Sequence, residues 1–231
     1  MGPRIQFWLD RIARDLLERE ASLGRDAGLV RVECGIGASG FPHIGSAGDA
    51  LRAYGVKLAL EDLGVKSELI VYSDDRDGLR KVPAGVPEDY RRYIGVPVTD
   101  IPDPWGCHGS YGEHMSSLLL DSLEELGLEF TFISGTEAYR SGLLADQIHT
   151  ILTRHWDVER IVREETMTEK PEGWIPYWPA CEECGRIYTT RVVEVVPEER
   201  KVVYVCDQEF KGCLLYTSDA ADDGESVDLG G

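Results

Sequence analysis

The sequence predicts an α/β fold built on a parallel β-sheet, with a small cysteine-containing hairpin as an insertion. Two observations lead to this prediction. A strand-like segment, a glycine-rich turn, a helix-like segment and a second strand follow one another between residues 29 and 72, and most of the cysteines cluster beyond residue 180. A strand–helix–strand unit is right-handed and places its two strands side by side in parallel.

The remaining elements are predicted from hydrophobic periodicity and from glycine and proline breaks. The first strand covers 29–35 and the second covers 67–72, with a helix over 46–63 between them. The other predicted elements are an amphipathic helix over 4–23, a long irregular insertion over 82–110, a helix over 110–126, a strand over 128–134, and a helical stretch from Thr136 to Val162 with a break near Trp156-Asp157.

The segment between the first strand and its helix is rich in glycine and ends in Pro42-His43-Ile44-Gly45. Glycines let a backbone approach a phosphate closely, and a helix N-terminus favours negative charge. The segment matches neither the G-x-G-x-x-G pattern nor a P-loop. An imidazole such as His43 can stabilise the charge that builds up on phosphorus during adenylyl transfer. Taken alone, the segment is equally compatible with a glycine-rich connection that contains a chance histidine.

The second strand ends in a segment, 73–83, that holds three carboxylates and three cations. A solvated charged loop is one interpretation. Because ligands of open α/β sheets bind at the carboxyl ends of the strands, we expect this segment to lie near His43. Asp74 or Asp75 could then hold the ammonium group of an amino acid, and basic residues of the segment could contact phosphates.

Composition narrows the class of protein. The chain has 231 residues, a net charge of −18 and 42% hydrophobic residues, so it can bury a core but is not a generally basic nucleic-acid binder. It has no apolar run that could span a membrane and no signal peptide, which predicts a cytoplasmic protein without a membrane partner. Cys34 and Cys107 are isolated in the sequence, and we expect both to be small buried residues.

The four clustered cysteines predict a zinc ribbon. Cys181 and Cys184 form a Cys-x-x-Cys knuckle, and two strand-like runs, 187–196 and 201–206, return Cys206 towards it. Tetrahedral zinc needs a fourth donor, and Cys213 has roughly the right position. The alternative is a redox-active cysteine pair, but the sequence around it lacks the thioredoxin pattern.

Four segments together resemble the class I lysyl-tRNA synthetases, the type common in archaea. They are the Ser-Gly-x-x-His-Ile-Gly turn, the Ser-Asp-Asp-Arg-Asp-x-x-Arg-Lys-Val-Pro segment, the Ile-Pro-Asp-Pro-x-Gly-Cys-His segment and the Pro-x-Cys-x-x-Cys-Gly-Arg-Ile-Tyr-Thr-Thr-Arg hairpin. They occur in the expected order and cover residues 29 to about 212. The resemblance implies the N-terminal half of a Rossmann-like catalytic domain over 1–173 and a zinc-ribbon insertion over 174–213.

The resemblance also implies an activity and a set of site residues. Lysine would be adenylated by ATP with Mg²⁺ and then passed to tRNA(Lys), and Zn²⁺ would bind the ribbon. The implied catalytic residues are His43, Gly45 and Ser46, and those for ATP are Ser39, Gly40, His43 and Gly45. The implied amino-acid-binding residues are Gly35, Gly37, Asp74, Asp75 and Asp77, and the implied zinc ligands are Cys181, Cys184, Cys206 and Cys213.

The sequence departs from the family pattern at several places. Ser46 stands where the family usually has Asn or His, Ala38 replaces a proline, and Gly37 replaces the threonine of the lysine-type pattern. Lysine specificity is therefore less firmly predicted than adenylation. The second class I signature, Lys-x-Ser-Lys, does not occur in the sequence. We therefore expect a synthetase fragment with little aminoacylation activity.

Two further questions remain open at the level of sequence. Residues from about 213 resemble a translated sequencing adapter, so we interpret 214–231 as an artefactual disordered tail; a natural acidic tail is the alternative. Two other classes of function are also compatible with the motifs: a different nucleotidyltransferase that uses the same His-x-Gly turn, and a non-catalytic module that binds a tRNA end or a protein through the ribbon.

Overall fold

The computed structural model describes residues 7–167, 170–171 and 173–207. Its helices and strands, in chain order, are α1 (Trp8–Ser22), β1 (Val30–Ile36), α2 (Ile44–Asp62), β2 (Ser67–Ser73), α3 (Tyr111–Glu125), β3 (Thr131–Ser134), α4 (Gly135–Arg140), α5 (Ala145–Thr153), α6 (His155–Thr166), β4 (Thr190–Val196) and β5 (Lys201–Cys206). None of the helices in this part of the chain is long and apolar enough to cross a membrane.

The main sheet is parallel, as predicted, with the strand order β1-β2-β3. Strand β2 lies in the centre and alternates between buried and half-buried residues because helices cover the sheet. Its buried residues Leu69 and Val71 pack with small residues of α2 and with Leu119 and Leu123 of α3. Pairing of Ile36 with Ser73, and of Ser73 with Ser134, brings the carboxyl ends of all three strands to one edge.

The segment predicted as an irregular insertion has a core of its own. It contains the short 3₁₀ helices Glu88–Tyr93 and Val98–Asp100. Its buried residues Val98 and Ile101 pack with Leu79, with Ala38, and with Tyr111 and Met115 at the start of α3. The apolar residues are spaced irregularly in sequence, which is why periodicity did not reveal this core. It fixes one side of the glycine-rich turn.

The single helical stretch predicted over 136–162 is divided into α4, α5 and α6. Gly142, at φ +75°, adopts a left-handed conformation and ends the first of these helices. The second break falls at Arg154, two residues before the predicted position. Ser134 caps α4 by accepting a hydrogen bond from the backbone N–H of Glu137 at 3.2 Å.

Strands β4 and β5 form the predicted antiparallel hairpin, with Thr190 opposite Cys206. The hairpin docks on the segment after β2. The backbone N–H of Ile187 donates to the Gly95 carbonyl at 2.9 Å, and Arg186 Nε donates to the Ile94 carbonyl at 2.9 Å. The domain boundary near residue 173 stays a prediction, and the predicted tail over 214–231 lies outside the described residues.

Candidate active site and metal centres

The glycine-rich turn, residues 37–43, connects the end of β1 to the start of α2. It is anchored at its centre. Ala38 is buried in the neighbouring core, and the hydroxyl of Tyr111 donates to the Ser39 carbonyl at 2.9 Å. Gly35 and Gly37 remain exposed at the strand end, and Gly40 is half-buried. Contacts at Ala38 and Ser39 therefore fix the turn, while the backbone of its glycines is accessible to solvent.

His43 is the N-cap of α2 and is exposed. Its Nδ1 accepts a hydrogen bond from the backbone N–H of Gly45 at 3.0 Å. The neutral ring must therefore carry its proton on Nε2, which makes Nε2 a donor. A Cβ on Gly45 would lie 2.8 Å from His43 Cε1, so any other residue would displace the imidazole. His43 and Gly45 thus form one geometric unit at a helix N-terminus, with half-buried Ser46 in the first helical turn.

Asp74 follows β2 and lies beside this turn. Its backbone N–H donates to the Ile36 carbonyl at 2.9 Å. Its carboxylate oxygen Oδ2 would lie 3.6 Å from a Cβ on Gly35. The structure therefore brings an exposed carboxylate to the end of β1, on the same edge of the sheet as the turn that carries His43.

The other two acidic residues of this segment have different surroundings. Asp75 is buried, and its Oδ1 accepts a hydrogen bond from the backbone N–H of Thr136 at 2.7 Å, which joins the end of β2 to α4. Asp77 is half-buried, and its Oδ2 accepts from Arg80 Nη2 at 3.4 Å. Asp75 has a structural role in this geometry, and contact of either residue with an amino acid stays a prediction.

Sequence reasoning missed a group of tyrosines near the end of β2. Burial raises the pKa of Tyr139, and the neighbouring Tyr72, Tyr177, Asp77 and Asp74 raise it further. Burial also raises the pKa of Tyr72, with added contributions from Asp74 and Asp75. These phenols come from β2, α4 and the segment before the hairpin, so no local motif links them. Two of them, Tyr72 and Tyr139, lie close enough to Asp74 for its negative charge to raise their pKa.

A cavity of about 210 Å³ is lined in part by Asp75. Residues of α3, β3 and α4 line it, Ser116, Thr136 and Arg140 among them. None of the described residues that line it belongs to the turn over 37–43. The cavity thus does not include the turn, and a ligand site at His43 and Asp74 stays a prediction.

Three of the predicted zinc ligands come together in the hairpin. The Sγ atoms of Cys181, Cys184 and Cys206 lie within 4.8 Å of one another, and that of Cys184 is 3.8 Å from that of Cys206. The pKa of the Cys184 thiol falls to about 7. Burial alone would raise this pKa, but hydrogen bonds from the Arg186 backbone and from neighbouring side chains lower it by more. Cys213, the predicted fourth ligand, lies outside the described residues. The donor set suits zinc.

A second group of possible metal ligands was missed. Asp103, Cys107, His108 and His114, here called the loop cluster, lie on the segment before α3 and on its first turn. Cys107 Sγ is 3.3 Å from His108 Nδ1 and 3.2 Å from His114 Nδ1, and the two Nδ1 atoms are 3.2 Å apart. One sulfur, two imidazoles and one carboxylate make a complete tetrahedral set for zinc.

The loop cluster corrects one expectation. Cys107 was predicted to be a small buried residue, but it is exposed, whereas Cys34 is buried as expected. The carboxylate of Asp103 is held by the backbone N–H groups of Cys107 at 2.8 Å and His108 at 2.9 Å. The signal in the sequence was the spacing Asp-x₃-Cys-His-x₅-His, which does not resemble the Cys-x-x-Cys pattern of a ribbon.

Comparison with known proteins identifies the family. The family model described as "tRNA synthetases class I (K)" matches residues 6–221. The chain belongs to this family of class I tRNA synthetases. The match confirms the resemblance seen in the four motifs and favours it over other nucleotidyltransferases. It also extends past residue 213, so the interpretation of the tail as adapter sequence stays a prediction.

Curated relatives of this class I synthetase chain are named lysine--tRNA ligases. It is 50% identical over 206 residues to that of Cenarchaeum symbiosum, covering 89% of this chain and 39% of the relative. It is 37% identical over 209 residues to that of Archaeoglobus fulgidus, covering 90% and 41%, and 34% identical over 200 residues to that of Methanocaldococcus jannaschii, covering 87% and 37%. The chain thus spans about two fifths of the length of these relatives.

Proposed function

We propose that this chain is the part of a cytoplasmic lysine--tRNA ligase that binds ATP at the glycine-rich turn and lysine beside Asp74. The observation that carries the proposal is the shared strand edge. An imidazole held by Gly45 lies at the N-terminus of α2, and the Asp74 carboxylate lies beside Gly35 at the end of β1, on the same edge of the sheet. Relatives named lysine--tRNA ligase support lysine as the amino acid.

In the first step, a carboxylate oxygen of lysine attacks the α-phosphorus of ATP, and the bond to pyrophosphate breaks. Negative charge builds up on the α-phosphate oxygens. The Nε2–H of His43 donates a hydrogen bond to them, and the backbone N–H groups at the start of α2 add positive potential. Mg²⁺ bound to the triphosphate would neutralise part of its charge. The terminal hydroxyl of tRNA(Lys) then attacks the carbonyl carbon of lysyl-adenylate, and AMP leaves.

Asp74 holds the ammonium group of lysine in this proposal. A charge-assisted hydrogen bond from an ammonium to a carboxylate is about twice as strong as a neutral one. Gly35 and Gly37 leave room for the ligand, since a Cβ on Gly37 would have no described atom within 4 Å. Ser39 and Gly40 shape the turn on the nucleotide side. The carboxylate of Asp77 accepts a hydrogen bond from Arg80, so Asp77 would contribute to lysine binding through its negative charge and not through direct contact.

We also propose zinc at both cysteine-containing clusters. The ribbon offers three described thiols, and the loop cluster offers four donors without an open coordination position. Both sets match the ligands of structural zinc, which stabilises a fold and does not activate water. Zinc would therefore stabilise the ribbon and the segment before α3.

Titration of ATP into the purified chain, followed by calorimetry, tests the nucleotide site. We expect His43→Ala to weaken binding by about tenfold or more, because a hydrogen bond to a charged group is lost. The matched control is His149→Ala in α5, which should bind ATP as the wild type does. Equal affinities of the His43→Ala variant and the wild type would show that the imidazole does not contact the nucleotide.

A further inference from the structure

We propose that the loop cluster braces the nucleotide turn, and that Trp105 is the positioning residue that connects the two. Metal at Asp103, Cys107, His108 and His114 would then be linked to the conformation of residues 37–43. The proposal deepens the proposed function, because it concerns the same ATP site. The test below separates the failure of one from the failure of the other.

The first step connects the cluster to Trp105. The indole ring stacks on the imidazole of His114, with ring centroids 4.2 Å apart and planes inclined by 29°. The backbone N–H of Trp105 donates to Asp103 Oδ1 at 3.1 Å. Two of the four cluster residues therefore fix Trp105, one through its ring and one through its backbone.

The second step connects Trp105 to the turn. The ring of Phe41 meets the indole edge-on, with centroids 5.8 Å apart and planes inclined by 61°. Phe41 lies two residues before His43 within the turn. Phe41 is 42% exposed and Trp105 is 44% exposed, so much of each side chain faces solvent. The aromatic pair is thus a direct contact between the segment that carries the loop cluster and the glycine-rich turn.

The start of α3 adds a second connection. His114 and Tyr111 both lie on the first turn of this helix, and the Tyr111 hydroxyl holds the Ser39 carbonyl. Without a metal ion, Cys107, His108 and His114 would lose their common partner, and the loop would be held by the hydrogen bonds to Asp103. Trp105 would then lose its stacking partner, and Phe41 would lose Trp105. Linkage requires that metal and nucleotide raise each other's affinity by the same factor.

Hydrogen–deuterium exchange of the zinc-loaded chain tests the brace without relying on nucleotide. We expect Cys107→Ser, which removes one ligand, to lower the zinc content by one ion per chain and to speed exchange in peptides that cover 37–43. Trp105→Ala should retain its zinc, because Trp105 is not a ligand, yet should show the same faster exchange. Trp105→Phe keeps an aromatic ring and should restore most of the protection.

The matched control is Trp156→Ala, which removes another exposed tryptophan that packs on a histidine, His155, in α6. It should leave exchange over 37–43 unchanged. The double variant Cys107→Ser/Trp105→Ala should be no worse than the more strongly affected single variant, because both break the connection through Trp105. Unchanged exchange in Trp105→Ala, or additive effects in the double variant, would overturn the proposal.

Nucleotide affinity provides the second measurement. We expect Trp105→Ala to weaken ATP binding about fivefold, the lower end of the coupling seen between linked sites. If the wild-type protein binds no ATP, the proposed function fails. The exchange result still shows whether Trp105 connects the loop cluster to the turn. If ATP binds but Trp105→Ala changes neither exchange nor affinity, the brace fails while the proposed function stands.

Discussion

The hydroxyl of Tyr111 donates a hydrogen bond to the carbonyl oxygen of Ser39 at 2.9 Å, and the tyrosine ring is completely buried. This contact ties the first turn of α3 to the middle of the glycine-rich turn. It crosses 72 positions of sequence. The conformation of the turn therefore depends on a helix that sequence motifs do not connect to it.

We expect Tyr111→Phe to lower the free energy of unfolding by about 1 kcal/mol, because one buried hydrogen bond is lost. ATP affinity should fall as well, since the turn is less firmly held. Urea denaturation and calorimetry measure the two effects. Tyr204→Phe is the control, because it removes the bond from the Glu182 backbone N–H to a tyrosine within the ribbon. A loss of ATP affinity in the control equal to that of Tyr111→Phe would contradict this account.

The same tyrosine gives a pH dependence. Burial raises the pKa of Tyr111 from 10.0 to about 12, so the folded state favours the neutral phenol. A raised pKa contributes stability that is complete below the unfolded value and is lost as the pH rises towards the folded value. The unfolding free energy of the wild type should therefore fall more steeply between pH 10 and about 12 than that of Tyr111→Phe. Parallel curves would show that Tyr111 ionises normally.

Tyr188 connects the ribbon to the charged segment. Its hydroxyl accepts from the Gly78 backbone N–H at 3.3 Å and from Arg80 Nε at 3.4 Å, and the Arg80 guanidinium lies over its ring at 5.7 Å. Tyr188→Phe should keep its zinc but lose about 1 kcal/mol of stability, with faster amide exchange around residue 78. Metal analysis and hydrogen exchange check both results, and loss of zinc in this variant would contradict a purely docking role.

Zinc content tests the two clusters separately. The purified chain should hold about two zinc ions, one for each donor set, and Cys184→Ser should remove only the ribbon ion. Cys34→Ser is the control, because Cys34 is buried in the sheet core and belongs to neither cluster. Plasma emission spectroscopy on dialysed protein measures this ratio. A Cys184→Ser variant with full zinc content would show that the ribbon thiols do not bind the metal.

The sequence was sufficient to predict the elements whose residues are close together in the chain. Strand β1, helix α2 and strand β2 were predicted to within two residues at each end, because alternation and helical spacing are local signals. The position of Asp74 beside the turn also followed, since parallel strands end at one edge of the sheet. The clustering of the ribbon cysteines was also predicted, because an antiparallel hairpin brings the two ends of the segment close together.

Contacts between distant segments could not be predicted in this way. The bond of Asp75 to the Thr136 backbone depends on where α4 begins, and Tyr72, Tyr139 and Tyr177 come from three separate segments. The loop cluster was missed because Asp103 and His114 are brought together by a turn that no periodicity marks. Cys107 is far from the other cysteines in the sequence, but in the structure it lies beside Asp103, His108 and His114.

The most direct test of the site is the affinity of the chain for a non-hydrolysable lysyl-adenylate analogue. It should bind more tightly than either ATP or lysine alone, since it fills both halves of the site. Asp74→Asn should weaken it by about tenfold or more while leaving ATP affinity unchanged. The control Asp121→Asn, on the exposed side of α3, should bind as the wild type does. Unchanged affinity for the analogue in Asp74→Asn would contradict a lysine site beside the His43 turn.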